Sequence, residues 1–211
     1  MSKAGFNKLA KFYSGLEYIA FGNLLLRSRF ALLSELKDLK QVLIIGGGNG
    51  RLLKRIIEDF PDAKIDFLEQ SPAMIKIAKS RLTASQLERV GFIEADIFSF
   101  TSTNLYDCIF SPFFLDCFNE QELAKIIDNL SLNLRSQAYW YDIDFNLPEF
   151  GFARARAKLY LKVLYKFFNI TTNLKVNHLV NTEAIFLNNY QILKTKTFSN
   201  QLLKTAIYKK N

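Results

Sequence analysis

The sequence predicts an α/β fold built on a doubly wound, mostly parallel sheet that ends in an antiparallel hairpin. Three observations support this prediction. Short apolar runs of strand length alternate with stretches whose apolar residues recur at helical spacing. Continuous apolar runs such as "QVLII" are typical of strands that are buried on both faces. The last two runs are joined through Ser199 and Asn200, which predicts a closing hairpin.

Each predicted element has its own local signal. Ser71 suits the N-cap of a helix, and Pro72 suits its first turn. Pro61 is expected to end the helix before it. The predicted strands are 41–45, 63–70, 90–96, 106–114, 137–145, 190–198 and 201–210. The predicted helices are 5–39 with a break near Ser14–Gly15, 50–60, 72–82, 119–134, a long segment from Pro148 to about Phe168, and 181–189.

Composition limits the class of protein. The chain has 211 residues, 49% hydrophobic and 23% charged, which is globular composition. The start "MSKAGFNKLAKFY" has no apolar signal region, and Cys108 and Cys117 are expected to be buried thiols in a reducing compartment. We therefore expect a cytoplasmic protein. His178 is the only histidine, so no histidine-based metal site is predicted.

A glycine-rich turn follows the first predicted strand. Gly46, Gly47, Gly48 and Gly50 lie between that strand and a helix. Missing side chains let a ligand approach the backbone, and the free N–H groups of a helix start favour an anionic group. The dinucleotide pattern G-x-G-x-x-G fails, because Arg51 stands where the third glycine would fall. Tight strand–helix turns also use glycine, so the loop alone leaves both interpretations open.

Two carboxylates follow the next two predicted strands. Glu69 comes about 20 residues after the loop, where a carboxylate can accept hydrogen bonds from ribose hydroxyls. Asp96 ends the third strand and could accept from an adenine amino group. Each could instead be a solvated strand end. Together with the loop, they predict a nucleoside pocket without a pyrophosphate.

Three motifs carry a family resemblance. "VLIIGGGNG", "IDFLEQSPAMIKIAKSRL" and "FIEADIF" resemble the first three motifs of class I S-adenosylmethionine-dependent methyltransferases. The segment "FNKLAKFYSGLEYIAFG" is similar to the start of the ubiquinone/menaquinone branch. The resemblance covers roughly residues 6–145 and implies a Rossmann-like, seven-stranded sheet with S-adenosyl-L-methionine across the carboxyl ends of the strands.

The resemblance also implies site residues. Tyr13 and the glycine loop would hold the methionine end of the cofactor. Ile44 stands where the family usually carries an acid that organises this end. The residues that the resemblance assigns to the cofactor are Tyr13, Gly46, Gly48, Gly50, Glu69, Gln70, Asp96, Ile97 and Ser111.

The segment "SPFFLDCF" (111–118) ends the fourth predicted strand, where the transferred methyl group should point. Its start partly resembles the Ser/Asp/Asn-Pro-Pro-aromatic motif of enzymes that methylate amino groups of bases, but Phe113 replaces the second proline. We interpret Phe113 and Phe114 as an apolar wall of the acceptor pocket; core packing is the alternative. Asp116 could act as a base, and a capping or surface role is equally open for it. Asp142 and Asp144 are further candidates, of which Asp144, near the strand end, is the better placed. No catalytic residue is predicted.

Charge is concentrated in the last part of the chain. The net charge is +8; residues 151–211 hold 11 Lys and Arg against one acid, Glu183. Arg154, Lys158, Lys162 and Lys166 recur every four residues and could contact an anionic membrane surface or an acidic substrate. The alternative is a lid helix with a solvated basic edge. Nucleic acid is not favoured, because no binding module is evident.

These observations predict a single methyltransferase domain over 1–211. Its parts would be an N-terminal helical lid (1–39), a cofactor-binding core (40–145), a basic amphipathic helix insertion (146–180), and a short helix with the closing hairpin (181–211). The predicted acceptor is an apolar or amphipathic small molecule, quinone-like or lipid-like. One alternative is an aminopropyltransferase that uses decarboxylated cofactor, because "VLIIGGG" also resembles the glycine loop of those enzymes. Another is a non-catalytic binding protein that kept the fold.

Overall fold

The computed structural model describes residues 22–172, 176 and 178–211. Tyr13, the predicted helix break near Ser14–Gly15 and most of the entry segment lie outside the described residues.

The described chain folds around a seven-stranded sheet with the strand order β3-β2-β1-β4-β5-β7-β6. Strands β1 to β5 are parallel, and β7 runs antiparallel between β5 and β6. This confirms the predicted fold class, including the antiparallel C-terminal hairpin. The strands are β1 Gln41–Ile45, β2 Lys64–Leu68, β3 Val90–Ile93, β4 Tyr106–Pro112, β5 Leu134–Phe145, β6 Tyr190–Phe198 and β7 Leu203–Lys210.

The helices connect the strands and follow the predicted order. Ser71 caps one of them, accepting a hydrogen bond from the Met74 N–H at 3.3 Å, with Pro72 at its first position. The described helices are α1 Leu24–Phe30, α2 Arg51–Asp59, α3 Pro72–Lys79, α4 Ala84–Leu87, α5 Glu120–Ser131, α6 Gly151–Thr172 and α7 Thr182–Phe186. Two 3₁₀ turns cover Leu33–Glu35 and Leu115–Cys117.

The centre of the sheet is buried on both faces, whereas the edge strand β6 is largely exposed. Alternate residues of a strand point to opposite faces, and β1 shows this pattern. Val42 and Ile44 pack in the cluster that holds α2, while Leu43 packs in the cluster that holds α5. The continuous apolar run of β1 therefore serves two helix layers, and it fixes the glycine loop at the strand's carboxyl end.

The predicted helix over 5–39 is wrong in its last part. Helix α1 ends at Phe30, and beyond the 3₁₀ turn the chain is not helical. Leu36 and Leu39 are buried in the core, and Asp38 has a φ of +53°, which an α-helix does not allow. The apolar spacing there reflects a connecting segment packed under the sheet. The short helix α4, capped reciprocally by Thr83 and Gln86, was not predicted.

Candidate active site

One cavity runs across the carboxyl ends of β3, β2, β1 and β4. Because the carboxyl ends of parallel strands meet at one edge of the sheet, the loops that follow these strands adjoin. Eight of the sequence-predicted site residues line this cavity: Gly46, Gly48, Glu69, Gln70, Asp96, Ile97, Phe113 and Phe114.

The glycines of the loop serve different purposes. An added Cβ would overlap the Phe114 ring at Gly46 and the Phe67 ring at Gly47. At Gly48 it would meet only the Gly46 carbonyl oxygen, 4.0 Å away, although φ is +55°. Gly46 and Gly47 therefore admit aromatic rings, whereas Gly48 leaves open space beside the backbone. That open space suits a ligand lying against the loop.

Gly50 does not line the cavity. It is the N-cap of α2 with a φ of +75°, and an added Cβ would lie 2.6 Å from the Ala78 Cβ. The structure therefore places Gly50 at a close contact between α2 and α3.

Glu69 organises the loop. Its Oε2 accepts the Gly48 N–H and its Oε1 accepts the Ser71 N–H, both at 2.9 Å. Burial raises the pKa of the Glu69 carboxyl, and the backbone N–H groups oppose that rise by stabilising the charged form. Each oxygen keeps a second lone pair. Glu69 can thus hold the loop and still accept from a ligand hydroxyl.

Asp96 lies at the β3 end of the cavity and is exposed. Its Oδ1 accepts the Phe98 N–H at 2.9 Å, which orients the carboxylate within the turn. Glu69, after β2, separates Asp96 from the glycine loop in the strand order. The cavity therefore presents two carboxylates in sequence on one side of the loop.

The β4 end of the cavity is aromatic. Phe114 packs on Phe118 with ring centroids 5.0 Å apart, and Phe98 packs edge-on to Phe118 at 5.8 Å. Phe113 has a φ of +53°, which is strained for a bulky side chain. Its ring lies 5.6 Å from Phe145. Phe113, Phe114 and Phe118 form an apolar wall at the β4 end, and Phe98 reaches this wall from the turn that holds Asp96.

Arg29 is a cavity residue that the sequence did not reveal. It lies in α1, is only 7% exposed, and its guanidinium stacks over the Phe113 ring at 5.0 Å. A single arginine in a predicted helix gives no pattern that points to a site. Other lining residues that were not predicted are Gly47, Asn49, Arg51, Leu52, Leu68, Met74, Ala95, Phe98, Pro112, Cys117, Phe118, Glu122 and Val176.

Ser111, Asp116 and Asp144 do not line the cavity; they belong to a buried polar group behind its aromatic wall. The Ser111 hydroxyl donates to Asp142 at 2.7 Å and accepts from the Trp140 indole N–H at 2.9 Å. These bonds turn Ser111 away from a cofactor in the cavity.

Three buried carboxyls form this group: Asp116, Asp142 and Asp144. Asp144 accepts the Asp116 backbone N–H at 2.8 Å. Burial raises the pKa of Asp116 to about 6 and that of Asp142 to about 7, and it holds the pKa of Asp144 well above its usual value. Repulsion from neighbouring carboxylates adds to the rise for Asp142 and Asp144. The group therefore retains protons near neutral pH.

The buried carboxyls make stability fall as pH rises. The Asp142 pKa moves from 3.8 to about 7 on folding, so the stability that this carboxyl contributes is fully present below about pH 4 and is lost as the pH rises to about 7. We expect the free energy of unfolding of Asp142→Asn to exceed that of the wild type at pH 8 by roughly 2 to 4 kcal/mol and to match it at pH 4. Urea unfolding across this range measures the difference. The control Asp128→Asn removes an exposed carboxyl from α5. The same slope of stability against pH for the wild type and Asp142→Asn would contradict the expectation.

In the described part of the chain, no three His, Cys, Asp or Glu side chains are arranged to hold a metal ion. Among residues 22–172, 176 and 178–211, no helix is long and apolar enough to cross a membrane.

The strand order and the site define a class of protein. A seven-stranded sheet, with a glycine loop after β1 and an acid after β2, is the arrangement that the class I S-adenosylmethionine-dependent methyltransferase resemblance implied. A family model described as a methyltransferase domain matches residues 42–137.

Two kinds of curated enzyme match parts of this chain. A malonyl-[acyl-carrier protein] O-methyltransferase of Ilyobacter polytropus is 39% identical over 70 residues, 33% of this chain and 25% of the relative. A polyamine aminopropyltransferase of Prochlorococcus marinus is 29% identical over 108 residues, 45% of this chain and 35% of the relative. The chain therefore matches well under two thirds of the length of these curated relatives.

A solved structure shares the fold. The N-methyltransferase NodS of Bradyrhizobium japonicum, in complex with S-adenosyl-L-homocysteine, superposes with a TM-score of 0.62 at 13% identity. The superposition covers 88% of this chain and 83% of NodS. Together, the domain match over residues 42–137 and the shared fold support the predicted class and cofactor, an S-adenosylmethionine-dependent methyltransferase. They do not single out the quinone branch.

Proposed function

We propose that this protein transfers the methyl group of S-adenosyl-L-methionine to an apolar or amphipathic small molecule, quinone-like or lipid-like. The proposal rests on one continuous cavity. It joins the backbone at Gly48 and the Glu69 carboxylate bonded to it, which we call the Gly48–Glu69 cradle, to an aromatic wall. A polar, nucleoside-type end and an apolar end in one cavity suit a cofactor and an acceptor that must meet.

The residues present fit the cofactor. Glu69, already fixed by two backbone N–H groups, would accept from the ribose hydroxyls, with Gln70 beside it. Asp96 and Ile97 would hold the adenine, and the open backbone at Gly48 would accommodate the methionine end. Arg29, at the opposite end from Asp96, would pair with the carboxylate of that end. When bound, the cofactor supplies a methyl group already activated on a sulfonium.

The acceptor would lie on the aromatic wall. Phe113, Phe114 and Phe118 offer ring faces and edges but no hydrogen-bonding side chain, which favours an apolar body. The wall excludes water from the place where acceptor and methyl would be aligned. The Cys117 thiol lines the cavity and donates to Asp116 Oδ1 at 3.4 Å. An acceptor proton could therefore reach the buried carboxyls through Cys117.

Product formation tests the proposal. The purified chain is incubated with methyl-labelled S-adenosyl-L-methionine and panels of quinols, phenols, fatty acids and acyl thioesters, the last group being suggested by the malonyl-[acyl-carrier protein] relative. We expect label to enter an apolar product in an extractable phase. Normal cofactor binding with no labelled product from these panels or from an apolar cell extract would favour a non-catalytic binding protein.

An aminopropyltransferase is the second candidate. The match to a polyamine aminopropyltransferase favours it. Its cofactor lacks the carboxylate of S-adenosyl-L-methionine, so Arg29 distinguishes the two candidates. A cation at the methionine end favours the intact cofactor.

The Arg29 prediction compares two cofactors and two proteins. We expect the wild type to bind S-adenosyl-L-methionine at least tenfold more tightly than the decarboxylated form, because one charge-assisted pair is worth about 1.5 to 3 kcal/mol. Arg29→Met keeps an apolar stem of similar reach and should abolish this preference. Competition against labelled cofactor measures both ratios. A wild type that prefers the decarboxylated form would reverse the ranking of the two functions.

A further inference from the structure

Helix α6 carries large apolar side chains on its outward face. Phe152 is 84% exposed, Leu159 66%, Val163 63% and Ile170 75%, and Phe167 is also exposed. We call these five residues the outer stripe. Contiguous exposed apolar surface of this kind marks an interaction site, whereas scattered single residues do not.

The outer stripe is one line along the helix. Its members are spaced seven, four, four and three residues apart, which keeps them on one side at 3.6 residues per turn. The side chains that α6 buries, Ala157, Leu161 and Tyr165, lie half a turn away from them. The stripe therefore cannot be the core-facing side of the helix, which is already packed.

Positive charge borders the outer stripe. Lys158, Lys162 and Lys166, which we call the lysine row, are exposed along one flank, and Arg156 is exposed beside the stripe. The sequence from 150 to 172 contains no acid. Arg154, which was predicted to share this face, is instead half-buried and donates to the Pro148 and Glu149 carbonyls. Its place in the basic surface is taken by Arg156.

The lysine row also lines a groove at the foot of the helix. Lys158, Lys162 and Lys166 face this groove together with Ile170 and His178. Lysines placed beside an apolar line can keep their stems on apolar surface while the ammonium groups reach anionic groups above. The arrangement pairs an apolar line with a row of cations over about two and a half turns.

We propose that α6 is a membrane-surface helix that binds anionic lipid bilayers, with the outer stripe in the acyl boundary and the lysine row at the headgroup phosphates. An interfacial helix carries an exposed apolar face with a cationic border, and the outward side of α6 has both. An apolar stripe alone could bind several kinds of partner. The positive charge of the lysine row favours one whose surface is anionic, as a bilayer of anionic lipids is. Binding would not depend on the methyltransferase activity.

Vesicle flotation tests this proposal with the full chain. We expect binding to phosphatidylcholine vesicles that contain about 30% phosphatidylserine, little binding to pure phosphatidylcholine, and weaker binding at high salt. Lys158→Gln, Lys162→Gln and Lys166→Gln together should lower the partition coefficient about a hundredfold. The matched control, Lys37→Gln, Lys64→Gln and Lys125→Gln, changes the net charge equally at exposed sites outside α6 and should lower it by less than about threefold.

Insertion of the outer stripe is measured separately. Leu159→Trp places an indole on the stripe, while the native Trp140 is buried in the core. We expect a blue shift of the added fluorescence and quenching by brominated lipid, and we expect Leu159→Ser with Val163→Ser to abolish flotation while the melting temperature is kept. Three results would overturn the proposal: no binding to anionic vesicles, equal loss in the control triple variant, or an outer stripe covered by another occupant. A second copy of the chain would appear as a dimer that is lost when the stripe is mutated. If residues 1–21 cover the stripe, vesicle binding would require their deletion. An acidic protein partner would bind the stripe in place of vesicles.

Discussion

Replacing Glu69 with alanine is expected to weaken S-adenosyl-L-methionine binding at least a hundredfold while the chain stays folded. The substitution removes the acceptor of the Gly48 N–H and the Ser71 N–H, so the loop loses its internal support. It also removes the proposed partner of the ribose hydroxyls. Two charge-assisted hydrogen bonds are together worth about 3 kcal/mol or more, which corresponds to a hundredfold in Kd. Equilibrium dialysis with labelled cofactor measures the change.

Glu58→Ala is the matched control for Glu69→Ala. Glu58 is an exposed glutamate on α2 that pairs with Lys54 and does not line the cavity. Exposed pairs of this kind contribute little, so cofactor affinity should stay within about twofold. Equal affinities for the two variants would show that Glu69 supports the turn but does not touch a ligand.

Gly47→Ala and Gly48→Ala are expected to separate folding from binding. At Gly47 the added methyl group would overlap the buried Phe67 ring, which has no room to move. Overpacking of this kind costs about 1 to 3 kcal/mol, so the melting temperature should fall by roughly 5 to 10 °C. At Gly48 the methyl group meets open space, so only the strain of a positive φ, about 1 to 2 kcal/mol, is paid.

Cofactor affinity should fall more in Gly48→Ala than in Gly47→Ala, the reverse of their order in stability. The Gly48 methyl group would occupy the space proposed for the methionine end, so affinity should fall at least tenfold in a protein that melts only a few degrees lower. Calorimetry of unfolding and dialysis of the cofactor give both quantities for each variant. Retained affinity in Gly48→Ala would place the ligand away from this loop.

The sheet could be predicted because its signals are local. The run "QVLII" has the length of a strand and too many apolar residues for one buried face, and β1 is buried on both. Ser71 and Pro72 start α3 as their capping chemistry predicts. The helix prediction for the segment after α1 was wrong, because the helical spacing of its leucines also suits a connecting segment packed on the core. Nothing in the sequence around Asp38 predicted its positive φ.

The cavity could be predicted on its cofactor side and less well elsewhere. Gly48, Glu69 and Asp96 each follow a strand, and parallel topology brings strand ends together. Arg29 reaches Phe113 through packing between distant segments, and sequence spacing does not encode such a contact. The same holds for the group of buried carboxyls. Asp116 and Asp144 read as candidate bases, but their burial and mutual contact arise only when β4 and β5 pair.

The central claim is that the cavity binds S-adenosyl-L-methionine, and calorimetric titration of this cofactor into the full chain tests it most directly. The Gly48–Glu69 cradle and Arg29 predict saturable binding at one site, with a Kd in the micromolar range. An absence of heat and of competition by S-adenosyl-L-homocysteine, in a chain that unfolds cooperatively, would contradict the claim. In that case Ile44, buried in β1 where the family usually carries an acid, would mark a site that no longer takes the cofactor.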